Sequence, residues 1–203
     1  MRAITGCRRR RVSATLTDMF EVRLRRCLVD DAPAVERLRV AGWREAYRGI
    51  VSDAYLDAMP VDVERRRRLI AERADRLGET VAVDADEEVL GWIAVGPCRD
   101  GDRRLAPQGE VYACYVLPTH RRAGIGRQML RHGLESLAEQ GHPDVTLWVL
   151  EANLPARRFY EGFGFRPDGA RQMLDLDTAV PEVRYHRPGS GPSRPSGQLR
   201  EDR

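Results

Sequence analysis

Between Val111 and Met129 the chain carries its clearest chemical signal. An apolar run rich in Val and Tyr stops at Pro118, Arg121 and Arg122 lead into Gly124-Ile125-Gly126, and Arg127 and Gln128 open a helical pattern. A strand, a glycine turn and a helix start in that order leave the backbone N–H groups from Ala123 to Gln128 without intrahelical partners. The helix dipole adds roughly half a positive charge at the same end. Gly124 and Gly126 let the main chain approach a bulky diphosphate, and Arg121, Arg122 and Arg127 offer charge-assisted contacts. This is chemistry for holding an anion; an ordinary strand-to-helix turn is the plain alternative.

The familiar nucleotide loops fit this stretch poorly. A Walker loop needs a lysine, and every basic residue here is Arg or His because the sequence contains no Lys. A dinucleotide fingerprint needs a third glycine where Met129 stands, and the strands upstream read as an antiparallel hairpin instead of βαβ units.

Alternation over Glu21 to Cys27 predicts a first strand. Asp30 or Asp31 followed by Pro33 starts a helix that runs to Tyr47, Ser52 opens a short helix ended by Pro60, and a third runs from Asp62 to Leu77. The third contains Arg65 to Arg68; four consecutive arginines span a full turn, so a solvated helix is expected. Thr80 to Val83 and Val89 to Val95 form a hairpin around the acidic turn Asp84 to Glu88. Glu110 to Leu117 is apolar at both parities, as in a central strand covered on both faces. Helix follows to Gly141, and Val145 to Leu150 is a second two-faced strand, parallel to the first. Asn153 caps a short helix with Pro155 in its first turn and Ala156, Phe159, Tyr160 and Phe163 as its inward stripe. Gln172 to Leu176 and Glu182 to His186 make a last hairpin.

With 203 residues the chain suits one domain, and its net charge of +3 is too small for a nucleic-acid binder. Residues 1–20, with Arg8 to Arg11, read as a disordered basic extension, and residues 188–203 as a disordered tail rich in Gly, Pro, Ser and Arg. The arginine run leaves nucleic-acid contact as a competing use, but a solvated arm is the simpler one. No apolar run is long enough to span a bilayer and no signal-peptide pattern opens the chain, so no membrane partner and a cytoplasmic location are expected. Cys7, Cys27, Cys98 and Cys114 are widely spaced and no His cluster has metal-ligand spacing, so reduced thiols and no metal are expected.

Two motifs then point to one family. Arg121-Arg122-Ala123-Gly124-Ile125-Gly126, after Tyr115-Val116-Leu117-Pro118, resembles the pyrophosphate loop of the GNAT family of acetyl-CoA-dependent N-acetyltransferases. Asn153 to Phe165 resembles that family's second signature, Asn-x-x-Ala-x-x-Phe-Tyr-x-x-x-Gly-Phe. The resemblance covers residues 21–187. It implies an α/β fold with a mixed, mostly antiparallel sheet splayed between two parallel strands and flanked by helices.

The resemblance also implies roles. Backbone groups of Tyr115 and Val116 would pair with the pantetheine arm, Arg121, Arg122, Ala123, Gly124, Ile125, Gly126, Arg127 and Gln128 would hold the pyrophosphate, and Asn153 would reach the arm from the other side. Acetyl would pass directly to a primary amine on a small molecule or peptide. No acyl-enzyme is then needed, and Cys114 becomes a core filler. Glu110 matches the position of the base in many members, and Tyr160 matches the tyrosine that protonates the leaving thiolate; Tyr160 also lines the binding slot. Trp43 and Tyr47 lie near the family's acceptor pocket, although an aromatic pair at i, i+4 is also ordinary core packing. Glu45 and Asp53 could attract a cationic amine, and His120 could add a contact at the loop. Dimers are common in the family, so a homodimer is compatible. A non-catalytic acyl-CoA-binding or regulatory module is the alternative function.

Overall fold

The computed structural model describes residues 22–73, 78–100 and 108–189. The expected basic extension at residues 1–20, the end of the third expected helix at residues 74–77, residues 101–107 and all of the tail but Pro188 and Gly189 lie outside the described residues. One mixed sheet of seven strands organises the rest: β1 (Arg23–Arg26), β2 (Gly78–Val83), β3 (Val89–Pro97), β4 (Gln108–Val116), β5 (Asp144–Leu150), β6 (Arg166–Asp175) and β7 (Ala179–Arg187). They lie in the order β1-β2-β3-β4-β5-β7-β6. Every pairing is antiparallel except β4 with β5, which have a helix between them in the chain. No described helix is long and apolar enough to cross a membrane.

Helices α1 (Ala32–Tyr47), α2 (Asp53–Ala58) and α3 (Val63–Arg73) pack on one side, and α4 (Ile125–Glu139) and α5 (Leu154–Glu161) on the other. Local chemistry fixes their ends. Ser52 accepts from the Tyr55 N–H to cap α2, Asn153 accepts from the Ala156 N–H at 3.2 Å to cap α5, and Pro33 and Pro155 sit in first turns where a missing N–H costs nothing. α4 has no such cap: its N-cap is Gly124 at φ 84°, which offers no side chain.

The core is divided by the sheet. Ile93, Val95, Ile125, Met129, Leu130, Leu137, Leu147, Phe165 and Tyr185 fill the α4–α5 side, while Val35, Leu38, Ile70, Val81, Trp92 and Ala94 fill the α1–α3 side. Each fully buried Leu or Ile contributes about 1.5–3 kcal/mol. A third cluster of Val40, Val51, Leu56, Met59, Leu150 and Val180 ties α1 and α2 to β5 and β7.

Two expectations need correction. Arg66 is buried instead of solvated: its guanidinium lies 4.8 Å from the Trp92 ring centre and bonds Glu36 at 3.0 Å, because α3 packs on α1 along that face. β4 is covered on both faces only in its first half; residues from Tyr112 onward are half-exposed, since the neighbouring strand turns away.

Candidate active site

The site begins with a break in the sheet. β4 and β5 pair only over Gln108, Glu110 and the glycine between them, with Asp144 to Thr146 opposite. From Val111 to Val116, β4 keeps its ladder with β3 and has no strand partner on the other edge among the described residues. A register shift opposite Ala94 and Val95 adds a bulge to β4 at Tyr112. The bulge places Ala113 and Tyr115 on the α1 side, with Tyr112, while Cys114 and Val116 face α4. The result is a slot between two diverging strands, with a row of backbone groups along one wall.

At the top of the slot the chain passes through a single 3-10 turn, Pro118–His120, into the glycine loop. Arg122 has φ 63° and Gly124 φ 84°. No backbone carbonyl among the described residues receives an N–H from Arg122 to Arg127; the first helical bond is Gln128 N–H to Gly124 O, at 3.1 Å. A Cβ on Gly124 would meet nothing within 4 Å, so the loop is open on that side. An anion is the partner such a helix end is built to receive. Ile125 and Met129 point inward, into the core, and anchor the loop. The three arginines do not converge. Arg121 reaches Glu45 on α1 at 3.1 Å, Arg127 lies 5.1 Å from the Phe163 ring centre beside α5, and Arg122 and Gln128 are exposed. His120 Nδ1 meets the Thr119 hydroxyl at 3.0 Å.

The opposite wall comes from α5. Phe159 lies against Gly126 and Val116, 3.6 Å from where a Gly126 Cβ would stand. Tyr160 follows it, packing edge-on to Phe159 and Phe165. Burial pushes the Tyr160 phenol well above its usual range, with Cys114 and Tyr115 as further neighbours, so it stays protonated. Burial also pushes the Cys114 thiol up to about 12, which makes it a poor nucleophile.

From α1, Trp43 and Tyr47 stack edge-to-face at 4.9 Å and flank the Tyr115 phenol. Tyr115 in turn lies parallel to Trp92 at 6.2 Å. Gly42 permits this arrangement, since a Cβ there would come within 2.8 Å of the Tyr115 ring. Tyr47, Tyr115 and Tyr160 thus gather at one place, whereas the family resemblance implies a role for Tyr115 through its backbone alone. Glu110 sits at the other end, where the strands part, and is 1% exposed. Arg99 binds it through Nη2 at 2.5 Å, Nε at 3.1 Å and its own N–H at 3.0 Å. Asp53 is taken up by Arg48 at 3.1 Å.

A model of the acetyltransferase (GNAT) family matches residues 40–165. The chain belongs to that family. The uncharacterized N-acetyltransferase YuaI of Bacillus subtilis is 30% identical over 146 residues, covering 70% of this chain and 79% of the relative. The mycothiol acetyltransferase of a Nocardioides species is 37% identical over 94 residues, 44% of this chain and 32% of that longer relative. The GNAT fold also recurs in the PaiA N-acetyltransferase of Thermoplasma acidophilum, solved in complex with coenzyme A. It superposes with a TM-score of 0.63 at 18% identity, covering 81% of this chain and 98% of that one. The mixed splayed sheet is therefore the GNAT acyltransferase fold.

Two residues bordering this candidate site carried no usable signal in the sequence. Arg99 gains meaning only from β4 lying beside it. Glu182, half-buried on β7, looks like any strand carboxylate until the register places it opposite Leu150 at the open end of β5.

Proposed function

We propose that this chain is an N-acetyltransferase, its catalytic domain spanning residues 21–187, that moves acetyl from acetyl-CoA to a primary amine by direct attack. The observation that carries the reading is the opening of an unpaired β4 edge directly beneath an uncapped helix N-terminus. A long ligand with amides at one end and a diphosphate at the other fits that pair of features. Tyr115 and Val116 offer backbone groups to the arm, the loop from Arg121 to Gln128 offers N–H groups and cations to the pyrophosphate, and Asn153 borders the arm from α5. Acetyl-CoA, when bound, supplies an acyl group already activated as a thioester.

The chain's own residues do the rest. Tyr160, held protonated by burial, donates its phenolic proton to the departing thiolate sulfur. Glu110 accepts the amine's proton through a relay of waters that runs along the slot and past the exposed Arg99 side chain. Trp43 and Tyr47 form the wall against which the amine rests.

The test is a calorimetric titration of acetyl-CoA against wild type and Gly124→Trp. Wild type binds and the variant does not; a folded wild type that fails to bind removes the proposal. Tyr160→Phe should lower kcat about 10²-fold with affinity for acetyl-CoA nearly unchanged. Amine-dependent release of free thiol separates a transferase from a binding module, which releases none.

A further inference from the structure

Around the slot several acidic side chains already have a cation. Glu110 holds Arg99. Asp100 receives Trp148 Nε1 and Arg184 Nη1, both at 3.0 Å, and Arg184 also meets Asp168 at 2.7 Å. Glu45 has Arg121 and Glu151 has Arg171. Glu182 differs. Its donor among the described residues is the neutral amide of Gln172, at 2.8 Å, and no cation among them pairs with it.

The strand pattern says where Glu182 faces. Val183 and Tyr185 enter the core shared with α4 and α5, whereas Val180 enters the cluster that includes Trp43 and Tyr47. Period-two alternation puts Glu182 on the Val180 face, toward α1. It stands opposite Leu150, at the end of β5 farthest from the short β4 pairing, where the slot is widest. Tyr47 registers its presence: burial pushes that phenol well above its usual range, and Tyr115, Tyr160 and Glu182 add to the push.

We propose that Glu182 selects the acceptor, its carboxylate holding an organic ammonium against the aromatic wall of Trp43, Tyr47 and Tyr115. Gln172 gives Glu182 a hydrogen bond but no counter-charge, and an incoming ammonium supplies that charge. Aromatic faces attract the same ligand, because their quadrupole presents negative charge to a cation. The acceptor class is therefore an amine on an apolar or aromatic body. Amines with a carboxylate beside them, such as free α-amino acids, are disfavoured by repulsion from Glu182. Calling the ligand an acceptor rests on the acetyl-transfer reading, but recognition of the cation does not require transfer.

Benzylamine, cationic at neutral pH, and its neutral analogue benzyl alcohol are titrated against wild type and Glu182→Gln, with tryptophan fluorescence as the readout. Glutamine keeps a hydrogen-bonding partner for Gln172, so the strand pairing is retained. Wild type binds benzylamine and not benzyl alcohol, salt weakens that binding, and Glu182→Gln weakens it at least about tenfold. Equal affinity in the variant, equal binding of the alcohol, or no benzylamine binding by wild type overturns the proposal. Should the variant not fold, the salt dependence and the alcohol comparison in wild type decide alone. Acetyl-CoA is titrated into the same samples: its failure to bind defeats the transferase reading and leaves the cation site standing, and the converse separates equally well.

Discussion

Glu110 is gripped by Arg99 at the point where β4 and β5 part. The glutamate side chain is 2% exposed and the arginine 66%, so one partner is fixed at the base of the slot while the other reaches it from solvent. Water can replace the Nη2 arm without disturbing the bond from the Arg99 N–H. Glu110→Gln should then lower kcat by about 10²-fold and leave acetyl-CoA affinity unchanged. Amine-dependent free-thiol release gives the answer; an unchanged kcat assigns proton removal to another group.

Gly124 and Gly126 should respond differently to alanine. At Gly124, φ is 84° and a Cβ would project into open space, so Gly124→Ala costs about 1–2 kcal/mol of strain and fills the place offered to an anion. At Gly126 a Cβ would make ordinary 3.6 Å contacts with Phe159 and Val116, and alanine favours a helix by up to about 1 kcal/mol. Urea unfolding with acetyl-CoA titration should show Gly124→Ala less stable and binding at least about tenfold weaker, a difference of about 1.4 kcal/mol. Gly126→Ala should be no less stable and still bind.

Tyr185 braces α5 from behind. It is fully buried, donates to Glu161 at 2.8 Å and accepts from Arg157 Nε at 2.9 Å, while Arg157 also reaches the Glu151 carbonyl at 2.9 Å. Tyr160 lies between these two α5 residues in sequence, so the brace fixes its direction. Tyr185→Phe keeps the ring and removes the hydroxyl, at about 1–2 kcal/mol of stability. It should also lower kcat several-fold in wild type and not at all in a Tyr160→Phe background. An equal loss in both backgrounds makes the brace structural only.

What the sequence made legible was local. The uncapped glycine turn, the Asn153 cap, the Ser52 cap and the strand and helix order all depend on residues within one turn of each other, and the fold class comes from the family resemblance that two local motifs carry. Contacts across the sheet were not legible. The bulge at Tyr112 exists only relative to β3, and Glu110 showed its position but not its Arg99 partner. Arg66 looked like one of four solvated arginines because nothing within its own helix marks which one meets Glu36 and Trp92. Trp43 and Tyr47 were ambiguous for the same reason: i, i+4 spacing gives a shared face, and only the approach of β4 makes Tyr115 part of it.

Two buried glutamates on the α1 side should give the fold opposite pH dependences. Burial alone would push the Glu36 carboxyl up, but hydrogen bonds and charge from Arg39, at 2.6 Å, and Arg66 outweigh it and hold it below the ordinary 4.5. Its contribution is present above that value and is lost as pH falls through the lower folded one. Glu36→Gln leaves Arg66, 7% exposed, without its counter-charge and should cost about 3 kcal/mol at neutral pH. Glu79 has the other sign. Burial raises it, and the hydrogen bond from Trp92 Nε1 at 3.0 Å with the charges of Arg66 and Arg73 only partly offsets that. Its contribution is full below the ordinary value of 4.5 and declines as pH rises through the raised folded one. Glu79→Gln keeps an oxygen for Trp92 and removes the buried charge, so the variant should be more stable than wild type at about pH 8, by no more than about 1 kcal/mol, and indistinguishable near pH 4. Urea midpoints at the two pH values test the sign: a variant less stable at the higher pH means that the Arg66 and Arg73 charges outweigh burial at Glu79.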